Sequence, residues 1–394
     1  MDYHADHQIP MSSPDLTEAE IQAVTDVLRS TSLSMGPNIQ AFEAAFRAAI
    51  GVRHAIAVNS GTAGLHLCVR AAGIQPGERV ITTPFSFVAS TNVLLFEGAV
   101  PVFVDIDPVS GNIDPELVRQ AAADLSAGES TAKKWLPRQG APQGGALKAI
   151  LAVDVFGQPA EYDAIRPVAT TLGLGLIEDA CEALGSEYKG RKAGRLGDTA
   201  VFAFYPNKQI TTGEGGMIVT DDDAAAEMMR ALRNQGRAPG DTWLDHTHLG
   251  YNYRLDEMSS ALGAAQMRRL DDLLAKRRQV ADWYGERLAE IPWVEAPALL
   301  ASTTRMGWFV YVIRVAPGID RTMVTCQLES AGIPSRPYFS PIHLQPYMVQ
   351  RFGYRSGDFP VTEDLAVRGL ALPFSSVMTE EQVAVVCKVL SGLI

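Results

Sequence analysis

Lys208 and Asp179 are the two residues whose types and surroundings could do chemistry together. Lys208 follows a strand-like run, Thr199 to Phe204. A polar turn, Thr211-Thr212-Gly213-Glu214-Gly215-Gly216, then leads to a second strand-like run, Met217 to Thr220. A lysine delivered near a strand end in an apolar setting is a candidate Schiff-base nucleophile, because desolvation makes an ammonium easier to deprotonate. A lone lysine before a hairpin is more often a surface charge. What separates this one from that reading is Leu174 to Ala180, an apolar strand that ends in Glu178-Asp179. A lysine that holds an aldehyde and an aspartate that keeps a pyridine nitrogen protonated are the pair that pyridoxal phosphate (PLP) requires to act as an electron sink.

The elements around this pair alternate strand and helix. His54 to Val58 reads as a strand, Asn59-Ser60-Gly61-Thr62 as a turn and Ala63 to Ala72 as a helix. That geometry lets backbone N–H groups at a helix N-terminus bind phosphate, although Ser-Gly-Thr also caps ordinary helices. Arg79 to Pro84 is the next strand, followed by Phe87 at the opening of a helix. Lys148 to Val153 is another, followed by Phe156-Gly157-Gln158-Pro159. The alternation across residues 54–220 predicts an α/β domain with a largely parallel sheet. Ligands of such sheets bind beyond the carboxyl ends of the strands. Gly61, Thr62, Phe87, Gln158 and Asp179 all stand just past such an end. Residues 125–147 read as a long surface loop, partly disordered. Asp256 to Leu288 reads as one long helix, with Lys276, Arg277 and Arg278 as a solvated face. Residues 309–390 then supply a strand, helices and the extended loop from Gly332 to His343. The expected domains are 1–255, a large α/β domain, and 256–394, a smaller α+β domain.

A chain of 394 residues exceeds one small core. With 47% hydrophobic and 20% charged residues it is of ordinary globular composition. A formal net charge of −11 argues against a nucleic-acid partner. The four cysteines have no CxxC pairing, which points to a reduced, cytoplasmic protein without a metal site. Residues 1–10 lack the apolar core of a signal peptide, and no apolar run is long enough to span a membrane.

Six ordered blocks carry a resemblance: Asn59-Ser60-Gly61-Thr62, Pro84 to Phe87, Phe156 to Pro159, Glu178-Asp179-Ala180, Lys208 with Thr211 to Gly216, and Gly250-Tyr251-Asn252-Tyr253-Arg254. With them the chain, from about Pro10 to its end, resembles the nucleotide-sugar aminotransferases of the DegT type. These belong to the fold-type I, aspartate aminotransferase-like PLP enzymes. The resemblance implies that Lys208 holds the cofactor aldehyde and later shuttles a proton between the substrate's amine-bearing carbon and the cofactor. It implies that Asp179 pairs with the ring nitrogen, Phe87 stacks on the ring, Gln158 bonds near the phenolic oxygen, and Gly61 and Thr62 hold the phosphate. Asn252 is implied to reach the same phosphate from a second subunit, which makes a homodimer with shared active sites part of the expectation. Two positions depart from the family pattern. Ala203 stands where a phosphate-binding serine is common, and Glu182, counted among the cofactor-binding residues, stands where histidine is common.

The leading expectation is transfer of an amino group from glutamate to a keto group of a nucleotide-linked deoxy sugar. Relatives that dehydrate sugars replace the lysine with histidine, so Lys208 favours amino transfer. Asn234 to Arg237, Gly250 to Arg254, Glu182 and the Arg336-Pro337-Tyr338-Phe339 stretch with His343 are similar to perosamine-synthase-like enzymes, which aminate C4. A 4-keto-6-deoxyhexose is therefore favoured, with a C3 keto sugar as the alternative. Arg254, Arg336, Tyr338 and His343 are the candidate substrate-binding residues, with Arg237 a further cation by charge. A non-catalytic PLP-binding regulatory protein is the reading from another class, and turnover with glutamate and a keto sugar separates the two.

Overall fold

The computed structural model describes residues 9–238, 240–242 and 245–393. The reading of residues 1–10 therefore lies, for residues 1–8, outside the described residues. In chain order the first nine strands are β1 (His54–Val58), β2 (Arg79–Thr82), β3 (Val100–Phe103), β4 (Leu147–Val153), β5 (Gly175–Asp179), β6 (Glu187–Tyr188), β7 (Arg191–Lys192), β8 (Thr199–Ala203) and β9 (Gly216–Thr220). Seven of them form one sheet in the order β1-β9-β8-β5-β4-β2-β3. β9 runs antiparallel to both of its neighbours, and every other pair is parallel. The carboxyl ends of β1, β2, β4, β5 and β8 therefore open along one edge, and the amino end of β9 meets them there.

Each strand is buried on both faces, so its residues serve two cores by turns. Ile56, Val58, Leu151, Val153, Val201 and Ile218 face one layer, which includes the helices Gly61–Ala71 and Asp223–Arg233. Ala55, Ala57, Ala200, Phe202, Met217 and Val219 face the opposite side with Phe42 and Phe46 of the helix Pro37–Ile50. Ile150 and Ala152 pack on that opposite side against the helices Pro115–Ala127 and Tyr162–Leu172. A further core joins Val280, Tyr284 and Leu288 to a three-stranded antiparallel sheet of Val294–Glu295, Tyr311–Val315 and Gly369–Leu372, with Ile9 inserted from the other end of the chain. Among the described residues no helix is long and apolar enough to cross a membrane.

Three regions differ from the sequence expectations. The predicted helix over 256–288 is two helices, Glu257–Arg268 and Leu270–Leu288. The first packs on the helices Glu18–Leu28 and Pro37–Ile50, and Glu257 accepts the N–H groups of Gly36, Asn38 and Ile39. The second helix places Leu273 in one core and Val280, Tyr284 and Leu288 in the next. Arg277, expected on a solvated face, is fully buried, because it falls on the apolar stripe Leu273, Val280, Tyr284, Leu288. Residues 125–147 are anchored instead of loose. Arg79 pairs with Glu129, Trp135 Nε1 donates to Asp124 at 2.8 Å, and Arg138 pairs with Asp358.

Candidate active site

The strand ends converge on a cavity of about 620 Å³, lined among others by Gly61, Thr62, Phe87, Ser90, Asp179, Glu182, Lys208, Phe309 and Tyr338. Its floor is the helix Gly61–Ala71. Ser60 caps that helix, its Oγ accepting from Ala63 N–H. The first N–H groups of a helix have no intrahelical acceptor, so those of Gly61 and Thr62 are open to an anion. Side chains are excluded from this corner. A Cβ on Gly61 would stand 2.8 Å from Ala203 Cβ and 2.9 Å from Cys181 Sγ, and one on Gly216 would stand 2.7 Å from Ser60 O. A phosphate-sized anion can reach backbone here because nothing projects in its way.

Asp179 ends β5 and is almost wholly buried. Ser90 Oγ donates to its Oδ2 at 2.6 Å and Cys181 N–H to its Oδ1 at 3.1 Å, and Ser86 Oγ lies 3.0 Å from Ser90 Oγ. Two donors fix the carboxyl plane, which suits a group that would face a ring nitrogen. Lys208 lies in the turn after β8, its N–H bonded to Tyr205 O at 2.9 Å. Its Nζ is 3.6 Å from Glu182 Oε1 and 3.5 Å above the Phe309 ring centroid. Glu182 Oε2 accepts from Phe156 N–H at 2.8 Å. Burial pushes the Glu182 carboxyl above its usual range, and the Lys208 charge pulls partly back. The aromatic Phe87 is 62% exposed at the mouth, its face available to a planar ring. Tyr338 and Phe339 stack at 4.9 Å and wall the far side.

Five predicted residues stand elsewhere. Gln158 is turned away by left-handed backbone at Phe156 (φ 58°) and Gly157 (φ 97°). Its Oε1 accepts from Leu300 N–H at 2.7 Å and its Nε2 donates to Ala298 O at 3.2 Å, so its amide is committed outside the cavity. His343 is fully buried and bonded to Glu363 at 3.0 Å, beside Tyr354 and Phe359. It is packed in a core and does not line the cavity. Arg336 is exposed, its guanidinium on Ser335 O, and Arg254 donates to Asn234 Oδ1. Neither arginine lines the cavity. Asn252 is exposed and bridged to Asn234, also outside its own chain's cavity. For His343→Leu we expect a thermal stability loss of about 1–3 kcal/mol from the broken buried hydrogen bond. The sugar KM should stay within about twofold, as steady-state kinetics on folded protein would read.

The sequence reading missed Ser90, Phe309 and Arg277. Ser90 could have been found, since it lies in the first turn of the helix Ala89–Phe96, in the polar stretch that follows β2. Nothing local in Phe309 marks it, because it acts across a gap of many residues, and the one local mark of Arg277 is its phase with Leu273, Val280 and Tyr284.

Behind Asp179 lies a second carboxyl pair. Glu178 is fully buried and accepts the N–H groups of Gly194, Leu196 and Gly197. Asp154, on the neighbouring strand end, gives its N–H to Asp179 O and receives Ala160 N–H and Tyr162 O–H on Oδ1, while Oδ2 has no donor. Burial and then the Glu178 charge push the Asp154 carboxyl well up, which favours its neutral form, and burial raises the Glu178 carboxyl as well. Asp154→Asn should leave stability at pH 7 within about 1 kcal/mol, since it replaces one neutral donor by another. Glu178→Gln should cost about 3 kcal/mol by turning an amide N–H₂ toward three N–H donors. Urea unfolding of the two variants checks both values.

A lysine, a fixed aspartate and an open helix start around one cavity, at the carboxyl edge of a mainly parallel sheet, define a PLP-dependent transferase of fold type I. Residues 14–391 match the DegT/DnrJ/EryC1/StrS aminotransferase family, and the chain belongs to it. It is 38% identical over 379 residues to a GDP-perosamine synthase of Caulobacter vibrioides, covering 95% of each chain. It is 36% identical over 390 residues to the spore coat polysaccharide biosynthesis protein SpsC of Bacillus subtilis, covering 96% of this chain and 95% of that one. Among solved structures it is similar to Helicobacter pylori PseC, an aminotransferase involved in the biosynthesis of pseudoaminic acid. There the TM-score is 0.86 at 28% identity, with 98% of each chain covered. The protein is a PLP-dependent sugar aminotransferase.

Proposed function

We propose that the protein moves the amino group of glutamate to C4 of a nucleotide-linked 4-keto-6-deoxyhexose, with Lys208 as its catalytic base. The observation that carries this reading is the cavity that Lys208 Nζ, the fixed Asp179 carboxylate and the open start of the helix Gly61–Ala71 share. The residues fit PLP. Gly61 and Thr62 N–H groups would hold the phosphate, Phe87 a ring face, Asp179 the ring nitrogen and Lys208 the aldehyde. Glu182 stands beside the lysine, while the amide of Gln158, expected near the phenolic oxygen, is bound to Ala298 and Leu300. When bound, the cofactor supplies the electron sink for the carbon that loses its proton.

The residues do the rest. Lys208 Nζ takes the proton from the amine-bearing carbon of the donor and later returns one to the acceptor carbon. Glu182 Oε1 offsets the ammonium between these moments, while Phe156 N–H pins Oε2 so that the carboxylate cannot swing away. Phe309 holds Nζ over its ring and, with Tyr338 and Phe339, keeps water from that side.

Among the described lining residues Lys208 is the one cation, against Asp179, Glu182 and Glu214. A sugar diphosphate and the donor's carboxylate call for more positive charge than this. We therefore infer a homodimer in which a second copy completes the site, with Asn252 reaching the phosphate and Arg254 or Arg336 meeting substrate anions. Exposed Phe87 and Tyr205 at the mouth, and exposed Leu33 and Met35 on the same chain, supply apolar surface for that contact. The working place proposed is the cytoplasm, on the strength of four unpaired cysteines.

The C4 assignment is supported by the similarity to a GDP-perosamine synthase. Its test is turnover of PLP-loaded protein with glutamate and either a 4-keto- or a 3-keto-6-deoxy nucleotide sugar, the aminated carbon being read by NMR. A 4-amino product is expected. Amination of the 3-keto sugar alone would replace C4 by C3, and failure of both with every donor would favour a regulatory role.

A further inference from the structure

We propose that Arg277 is a positioning residue for amino transfer: its guanidinium clamps the backbone of Lys208 to that of Phe309 and so sets where Nζ stands. The proposal rests on Lys208 being the cofactor lysine. Arg277 is 1% exposed on the helix Leu270–Leu288. Its Nη2 donates to Lys208 O at 2.6 Å and Asn207 O at 3.1 Å, and its Nη1 donates to Trp308 O and Phe309 O at 3.1 Å each. Two adjacent carbonyls on each side are thus bound by one planar group. Trp308 has left-handed backbone (φ 48°), a conformation that costs energy in a residue with a side chain and persists when its surroundings hold it. The turn so held presents the Phe309 ring 3.5 Å from Lys208 Nζ.

The electrostatics make simple packing a poor account of this residue. Among the described residues no carboxylate pairs with Arg277, its Nε has no acceptor, and burial alone pulls the guanidinium down to about 10. A buried cation without a counter-charge lowers stability relative to an apolar side chain of similar volume. The stripe Leu273, Val280, Tyr284, Leu288 could have continued with one. What an apolar residue, or a lysine with its compact ammonium, cannot do is bind four carbonyls in a plane. The geometry buys register between two distant segments, and that register fixes the lysine against the ring it rests on.

The test compares wild type, Arg277→Lys and Phe309→Leu as PLP-loaded enzymes, with the double variant closing the cycle. Arg277→Lys keeps the charge and loses the fork. On folded protein, kcat is expected to fall about 100-fold with KM for the sugar within about twofold, as a misplaced catalytic group predicts. A readout apart from turnover is the rate at which borohydride fixes added PLP to Lys208 in cofactor-free protein, followed by peptide mass. It should fall with kcat. The double variant should lose little more than the worse single variant, because both act on one placement. If Arg277→Lys melts earlier but keeps wild-type kcat and labelling rate, Arg277 is structural alone and the proposal falls. Should Arg277→Lys not fold, Phe309→Leu decides, since it leaves all four carbonyl acceptors in place. A wild-type kcat and labelling rate there overturn the proposal, because the ring contact that the clamp is proposed to set would then not matter. Lys208→Ala run alongside separates the two readings. If it is still labelled at the wild-type rate, the lysine assignment itself has failed.

Discussion

Lys208→Ala is expected to lose amino transfer by about 10⁴-fold or more, because it removes both the attachment point of the cofactor and the base. The cavity offers no substitute, as no other described lining residue carries an amine. The same change has a consequence for stability that pH exposes. Burial raises the Glu182 carboxyl, and the Lys208 charge is the largest influence opposing it. Without that charge the carboxyl rises further, so the folded state binds a proton that the unfolded chain releases near pH 4. Stability from this source is fully present below that pH and is lost as pH rises through the raised value. Lys208→Ala should therefore lose more stability than wild type between pH 5 and pH 8, as urea midpoints at the two values would read.

Asp179→Asn is the second large effect. The amide keeps the shape and retains an oxygen for Ser90 Oγ or Cys181 N–H, but it cannot hold a proton on a ring nitrogen as a carboxylate does. A kcat loss of about 10²–10³-fold is expected, the range seen when a preorganised electrostatic partner is removed. Cofactor should still bind, since in the proposed arrangement Gly61, Thr62 and Phe87, which the change leaves alone, would hold the phosphate and ring face. Titration of the variant with PLP, followed by absorbance, together with single-turnover kinetics, separates the two. A variant that retains wild-type kcat would remove Asp179 from the mechanism.

Much of this site was legible because its parts lie at strand ends. Ala55 to Gly61, Val80 to Thr83 and Leu176 to Asp179 each show an apolar run followed by small or polar residues, and a parallel sheet gathers such ends on one edge. Periodicity within 54–220 therefore carried the fold and the pair Lys208–Asp179 together. Gln158 shows where the logic stops. It follows a strand end like the others, yet two residues of left-handed backbone swing it onto 298–300, and no local signal announces that turn. Arg277 was hidden for another reason. In Lys276-Arg277-Arg278 the three charges look alike, although only Arg277 is in phase with Leu273, Val280 and Tyr284. The phase was in the sequence, but a charged residue on an apolar stripe is rare enough that composition outweighed it. His343 and Phe309 depend on contacts across the chain, with Glu363 and Lys208, which spacing does not encode.

The central claim is that Lys208 carries the cofactor and works as its base. The most direct measurement is borohydride reduction of the PLP-loaded protein, with and without prior glutamate, followed by peptide mass mapping. Without glutamate the pyridoxyl mass should sit on the peptide containing Lys208. With glutamate it should be lost from that peptide as the cofactor leaves the lysine carrying the donor's nitrogen. A label on any other lysine, or no label at all on protein that binds PLP, would contradict the account.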